Sequence, residues 1–178
     1  MRVYIFERQI VMHNKLTEAD IKKMKEEIEF RETTERTRLL EAVNVARSYG
    51  DLSENAEYKI AKQEKNRNEG RIRHLKNMIR TAQIIKDDSA PDEVGLSDRV
   101  TVYIEEDGVL ETYIIVTSVR IDSSGEYMSY ESPMARAILG KKEGDRVLVK
   151  VNPEYSYYVV IKKIEKGEED TSRPLKRY

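Results

Sequence analysis

Residues 17–49 contain neither glycine nor proline, and residues 55–86 contain only Gly70 against a continuous helix. Thr17, with Asp20 three positions on, opens the first stretch in the manner of a capping box; Ile21, Met24, Ile28, Leu39, Val43 and Ala46 follow at helical spacing. Ile60, Ile72, Leu75, Ile79 and Ala82 repeat that spacing in the second stretch. Two helices of about 30 residues, each about 45 Å long at 1.5 Å per residue, are predicted. Their apolar positions pair as Ile21 with Ala82, Met24 with Ile79, Ile28 with Leu75, Ala42 with Ala61, and Val43 with Ile60. The residue numbers of every pair add to the same total, as antiparallel partners joined by a tight turn require, and the mirror point falls between Asp51 and Leu52. Arg31, Glu35 and Leu39 should face Ile72, Asn68 and Glu64, so the seam is polar halfway along and the hairpin depends on its two ends.

At the mirror point the chain reads Ser48-Tyr49-Gly50-Asp51-Leu52-Ser53-Glu54-Asn55-Ala56-Glu57-Tyr58, three carboxylates with no cation among them. Asp51 and Glu54 are three apart at the entry to the second helix, which is the spacing of a helix cap, and negative charge there suits the positive end of the helix dipole. The same pair could instead help to hold a divalent cation. Magnesium takes one or two carboxylates and completes its octahedron with waters and phosphates. Two carboxylates at a hairpin tip cannot make such a site alone, so this second reading requires a site shared with a partner. Glu57, a turn later, suits support of the helix.

Charged residues make up 37% of the 178-residue chain, yet the net charge is only -1, which fits long solvated helices better than a polybasic nucleic-acid binder. Residues 59–80 depart from that balance, with Lys59, Lys62, Lys65, Arg67, Arg71, Arg73, Lys76 and Arg80 against Glu64 and Glu69. Arg73, Lys76 and Arg80 share one helix face, and Arg67 and Arg71 sit four apart. A solvated face explains them, and a salt-dependent phosphate contact is the competing reading. Without cysteine, and with only His13 and His74 as imidazoles, a disulfide framework and a structural zinc are excluded. No apolar run reaches the roughly 20 residues that span a bilayer, and a cytoplasmic location is expected.

After residues 87–91 the periodicity shortens to about two. Residues 99–105, 111–121, 144–151 and 157–164 are strand-like, and Asp107-Gly108 is a hairpin-turn signal. Ser132 as N-cap, Pro133 at the first helical position and Gly140 as the stop bracket one short helix. The fold class is therefore α+β: an N-terminal antiparallel helical hairpin, or coiled coil, then a small antiparallel sheet with one helix against it. The expected organisation is an N-terminal extension at 1–14, the hairpin at 15–88 with its acidic tip at 50–57, a linker at 89–97, the sheet domain at 98–168 and a loose tail at 169–178.

Residues 46–58 (ARSYGDLSENAEY), followed by EGRI at 69–72 and SPMARAILG at 132–140, closely resemble the bacterial Gre-type transcript cleavage factors, in order and in separation. The likeness covers residues 15–166. It implies a coiled coil that enters the secondary channel of RNA polymerase and an FKBP-like domain that docks at the channel rim, the chain acting as a monomer. It implies that Asp51 and Glu54 are tip acids that help hold a Mg2+ shared with the polymerase, whose own active site then cuts the backtracked nascent RNA near its 3′ end. Ser53, Asn55, Glu57 and Tyr58 become tip-supporting residues, Arg67, Arg71, Arg73, Lys76 and Arg80 candidates for RNA contact, and Ser132, Pro133 and Arg136 candidates for docking. No cofactor is expected on the chain alone, and the chain itself is not an enzyme. The glycine that the family often carries near the first helix start is Asp20 here.

Other classes compete. Asp51 and Glu54 together at this spacing argue against a channel-binding inhibitor that does not stimulate cleavage. A prolyl isomerase would have to build its proline pocket from tyrosine, since Phe6 and Phe30 lie outside the sheet domain and there is no tryptophan. A stand-alone magnesium nuclease lacks ligands.

Overall fold

The computed structural model describes residues 15–49, 55–168 and 175–176. It divides into two compact units, one of residues 24–83 and one combining residues 15–23 with the chain from residue 84 onward. The elements are β1 (Lys15–Leu16), α1 (Glu18–Phe30), α2 (Arg36–Ser48), α3 (Ala56–Arg80), β2 (Gln83–Ile84), β3 (Arg99–Ile104), β4 (Val109–Val116), β5 (Tyr127–Ser129), α4 (Pro133–Ile138), β6 (Arg146–Lys150) and β7 (Ser156–Glu165).

In the first unit the expected antiparallel helices form, with α2 and α3 joined through a short connection. The first helical stretch is not uniform. A π-helical turn, Arg31–Glu35, separates α1 from α2, and the Arg36 N–H reaches back to the Arg31 carbonyl. Thr33 and Thr37 occupy this region, and their hydroxyls donate to the carbonyls of Glu29 (2.8 Å) and Thr33 (2.7 Å). Such back-bonding competes with the helical ladder and locally widens or bends it. Arg31 meets Asn68, through Nη1 to Oδ1 at 3.1 Å, where Ile72 was expected.

The buried stripe runs Met24, Ile28, Leu39, Val43 and Ala46 on one side and Ala61, Asn68, Ile72, Leu75 and Met78 on the other. Two expected positions move. Ile60 is 57% exposed, and Ala61 instead packs with Val43 and Ala46. Met78 is buried where Ile79 was expected, because α3 presents the face set by Ile72 and Leu75. The middle of the seam is polar as expected, with Asn68 buried and its Nδ2 donating to the Arg31 carbonyl.

The second unit carries a five-stranded sheet of order β5-β4-β3-β7-β6. β3 pairs antiparallel with β4 and β7, and β6 with β7, but β5 runs parallel to β4. The sheet is thus mixed where an antiparallel one was expected; β5 escapes sequence reading because three residues are too few to show a period. The strand expected at 111–121 ends at Val116, and a 3₁₀ turn, Ser118–Arg120, follows. Gly108 adopts φ 68 in the connection from β3 to β4, and Gly140, with φ 70, ends the run after α4, as their glycine signals require. Ser132 caps α4, its hydroxyl accepting from the Ala135 N–H at 3.1 Å.

Val100, Val102, Ile115, Val149, Val159 and Ile161 face α4 through Ala135 and Ile138 in one apolar core. Val94 and Leu96 belong to it as well, so residues 94–96 are core and not linker; the Val94 N–H and carbonyl are bonded to Lys141 and Gly140. Leu175 is buried and the Lys176 N–H donates to the Val119 carbonyl, which ties down that part of the expected loose tail.

The capping box forms reciprocally, Thr17 N–H to Asp20 Oδ2 and Asp20 N–H to Thr17 Oγ1, both at 3.1 Å. Asp20 is fully buried and also accepts from Thr117 Oγ1 at 2.7 Å and from the Arg120 guanidinium. This buried pair explains why the first turn of α1 clusters with the sheet and not with the hairpin.

Candidate hairpin-tip site

The site is built where α2 ends and α3 begins. α3 opens at Ala56 with Asn55 as its N-cap, the side-chain oxygen accepting from the Tyr58 N–H at 2.9 Å. The same side chain donates from Nδ2 to the Ala46 carbonyl at 2.7 Å, near the C-terminal end of α2. One amide therefore satisfies an orphan donor of one helix and a carbonyl of the other, and holds both ends of the connection together. Beneath it Val43, Ala46 and Ala61 pack with Ala42 and Tyr58.

Tyr58 is held by charge as well as packing. The Arg47 guanidinium lies 5.6 Å from its ring centre and Lys62 Nζ 5.8 Å. A hydrogen bond from Arg47, with the charges of Lys62 and Arg47, holds the Tyr58 hydroxyl below its ordinary pKa against a smaller opposing effect of burial. Glu57 is exposed in the first turn of α3, where the helix dipole favours it. Arg47 is the supporting residue that pattern reading missed; its only signal is a cation near the last turn of α2.

Asp51, Ser53 and Glu54 lie outside the described residues. The N-cap of α3 is Asn55. As a donor set, two carboxylates offer the hard oxygens that Mg2+ prefers, and they fit a shared site better than a self-sufficient one. Among the described residues no cluster of three metal-capable side chains occurs.

The basic residues of α3 do not act as one free stripe. Arg71 is mostly buried and forms a two-pronged pair with Glu27, at 2.9 and 3.0 Å, and Arg31 also binds Glu27 at 2.7 Å. Lys76 binds Glu32 at 2.7 Å, and Arg80 donates to Asn77. Arg67 and Arg73 are exposed. In the second unit the Ser132 hydroxyl is used as a cap, whereas Pro133 and Arg136 are exposed.

The family model described as "Transcription elongation factor, N-terminal" matches residues 14–84, and "Transcription elongation factor, GreA/GreB, C-term" matches residues 88–166. The transcription elongation factor GreA of Bacillus licheniformis is 47% identical over 75% of this chain and 85% of its own length. The chain belongs to the GreA/GreB family of transcription elongation factors. GreA of Streptococcus gordonii is 42% identical over 85% of this chain and 94% of its own length. Among solved structures, the GreA factor homolog 1 (Gfh1) of Thermus thermophilus is similar over 86% of this chain and 99% of that one, at 24% identity and a TM-score of 0.35. The two GreA/GreB domains meet between residues 84 and 88, whereas compactness assigns residues 15–23 to the second unit, through the Asp20–Arg120 pair.

Proposed function

We propose that this chain binds RNA polymerase and stimulates the polymerase's own cleavage of nascent RNA in backtracked complexes, by presenting Asp51 and Glu54 at the end of its helical hairpin. Membership of the GreA/GreB family supports an action in transcription elongation. The observation that carries the finer reading is the Asn55 side chain, which binds Tyr58 N–H and the Ala46 carbonyl together. It ties the last turn of α2 to the first turn of α3, the two helix ends between which the acids lie in sequence.

Asp51 and Glu54 would hold, jointly with ligands from the polymerase, a Mg2+ ion. When bound, that ion supplies an activated water and stabilises charge on the phosphate oxygens. Ser53 and Glu57 flank the acids, and Asn55 and Tyr58 keep the base of the tip in one arrangement. Arg67 and Arg73 are the cations of α3 best placed for the phosphate contact, since Arg71 is spent on Glu27. Pro133 and Arg136 remain the docking candidates. The chain works as a monomer in the cytoplasm and is an activator, not the nuclease.

The test uses defined backtracked elongation complexes, with RNA alone as control. Asp51→Ala with Glu54→Ala should lower stimulated cleavage by on the order of 100-fold or more while polymerase binding is retained; loss of a mere outer-shell partner of a metal already costs about 10–100-fold. Cleavage by the double variant at the wild-type rate, or cleavage of RNA without polymerase, overturns the proposal.

A further inference from the structure

The sheet has one face against α4 and one face without it. Register puts Leu110 opposite Tyr103, Tyr103 opposite Val160, and Leu148 opposite Tyr158, all on the side away from the core residues Val102, Val149, Val159 and Ile161. Leu110 is 63% exposed, Tyr158 40% and Leu148 37%. This apolar patch spans β4, β3, β7 and β6, with Leu110, Tyr103 and Val160 in one row, which ends at Arg146 opposite Val160, and Tyr158 and Leu148 in the next row. At about 4.8 Å between strands the patch is about 14 Å wide, enough to seat a helix of about 10 Å diameter.

The surround is basic. Arg99, Arg146, Lys150, Lys162 and Lys163 stand on this face against Glu105 and Glu165. Glu105 is taken by Arg146 at 2.7 Å, and Glu165 by Lys163 at 2.5 Å. Lys150 and Lys162 are exposed and have no carboxylate partner among the described residues. The aromatic rings are already matched to cations: the Arg146 guanidinium lies 3.5 Å from the Tyr158 ring centre, and Lys162 Nζ lies 5.6 Å from that of Tyr103. Rings so covered are poor platforms for stacked bases, which argues against a single-stranded nucleic acid as occupant. Residues 1–14 carry Arg2 and Arg8 against Glu7 and do not complement a basic face.

We propose that the outer face of the five-stranded sheet docks an acidic amphipathic helix of a protein partner, its apolar stripe on Leu110, Tyr103, Val160 and Leu148 and its carboxylates on Lys150 and Lys162. The mode is an amphipathic helix laid on an apolar surface, with the charge supplying orientation and selectivity. It is independent of the tip and of the reading given to it.

The test titrates the isotope-labelled full chain by NMR with a Leu/Glu heptad peptide of about 20 residues, the same peptide with Lys for Glu, and a short single-stranded RNA. The glutamate peptide should shift amides of β3, β6 and β7, bind at least about tenfold more tightly than the lysine peptide, and weaken as salt rises through the range where the Debye length falls below about 10 Å. Lys150→Glu with Lys162→Glu, both at exposed positions, should reverse the preference between the two peptides, and Leu110→Ser with Leu148→Ser should cost about tenfold with either. Equal binding of both peptides, shifts elsewhere than the outer face, RNA bound on the same amides, or peptide binding that appears only after deletion of residues 1–14 each overturn the proposal.

Discussion

Two carboxylates of α1 are each held by arginine, and water treats them in opposite ways. Asp20 and Arg120 are almost wholly buried, and the carboxylate collects further hydrogen bonds from Thr17 N–H and Thr117. Glu27 sits half-buried in the hairpin seam between Arg71 and Arg31. For the first pair desolvation is severe and compensation must be complete, because removing one partner leaves a buried charge. For the second, solvent shares the load, so its contribution answers to salt and pH. Chemistry that looks alike in sequence therefore serves as a fixed anchor in the sheet unit and as an adjustable fastening in the hairpin.

The largest effect should come from breaking the anchor. Arg120→Ala is expected to cost roughly 3–5 kcal/mol in the sheet unit, read as lost amide protection in β3 and β4, with little change between low and high salt. Hairpin amides far from residue 20 should keep their protection. A loss of about 1 kcal/mol or less, or one that high salt erases, would place this pair in the same class as the seam and remove the contrast.

Glu27→Gln should cost less, roughly 1–3 kcal/mol, through lost charge-assisted hydrogen bonds to Arg71 and Arg31. Burial pushes the Glu27 carboxyl up, but the hydrogen bonds and charges of Arg71 and Arg31 outweigh it and hold the group below its ordinary 4.5. A depressed carboxylate contributes stability that is present above the unfolded value and is lost as pH falls through the folded one. Wild-type hairpin helicity, followed by circular dichroism, should therefore decline on acidification from about the ordinary carboxylate range downward, and the Gln variant should decline less over that range. Parallel acid profiles would show that the seam pair does not couple to folding.

Local signals in the sequence were reliable where one segment decides the outcome. The Thr17–Asp20 box, the Ser132 cap, the Gly140 stop and the two antiparallel helical stretches appear as read, while the residue-by-residue pairing of those helices does not. What stayed hidden depends on partners distant in sequence. Nothing near Asp20 announces Arg120, a hundred residues on. The π turn, with its threonine hydroxyls bonded back to the preceding carbonyls, is invisible to a hydrophobic period, as is the contact of Arg31 with Asn68 in place of Ile72. β5 exists because β4 offers it an edge, not because Tyr127–Ser129 has a pattern. At the tip, the cap spacing points to Asp51 and Glu54, whereas α3 is capped by Asn55, whose second bond to Ala46 requires the hairpin to be closed already.

That second bond makes Asn55 the neutral counterpart of the two ion pairs. Asn55→Ala should cost about 1 kcal/mol, the range for an N-cap being about 0.5–2, and the loss should be indifferent to both salt and acid. It should show as faster amide exchange in the first turn of α3 and the last turn of α2 together. Exchange rising in α3 alone would mean that the Ala46 contact contributes nothing. Asn55→Asp keeps the cap acceptor but cannot donate to Ala46, so it should restore α3 and leave α2 frayed.

The smallest effect belongs to the pair that, of the three compared, lies nearest water. Arg36 and Glu69 meet fork to fork at 2.7 and 2.8 Å, with both side chains about one third exposed. The hydrogen bond from Arg36 keeps the Glu69 carboxyl below its ordinary value, against a smaller effect of burial, so whatever stability it adds is again lost as pH falls. Glu69→Gln should lower the melting point detectably at low ionic strength and indistinguishably from wild type near 1 M salt, where the Debye length is about 3 Å. A deficit that survives high salt would mean that the geometry of the fork, and not its charge, supports the seam. The graded series from Arg120 through Glu27 to Glu69 would then follow hydrogen bonding and not access to water.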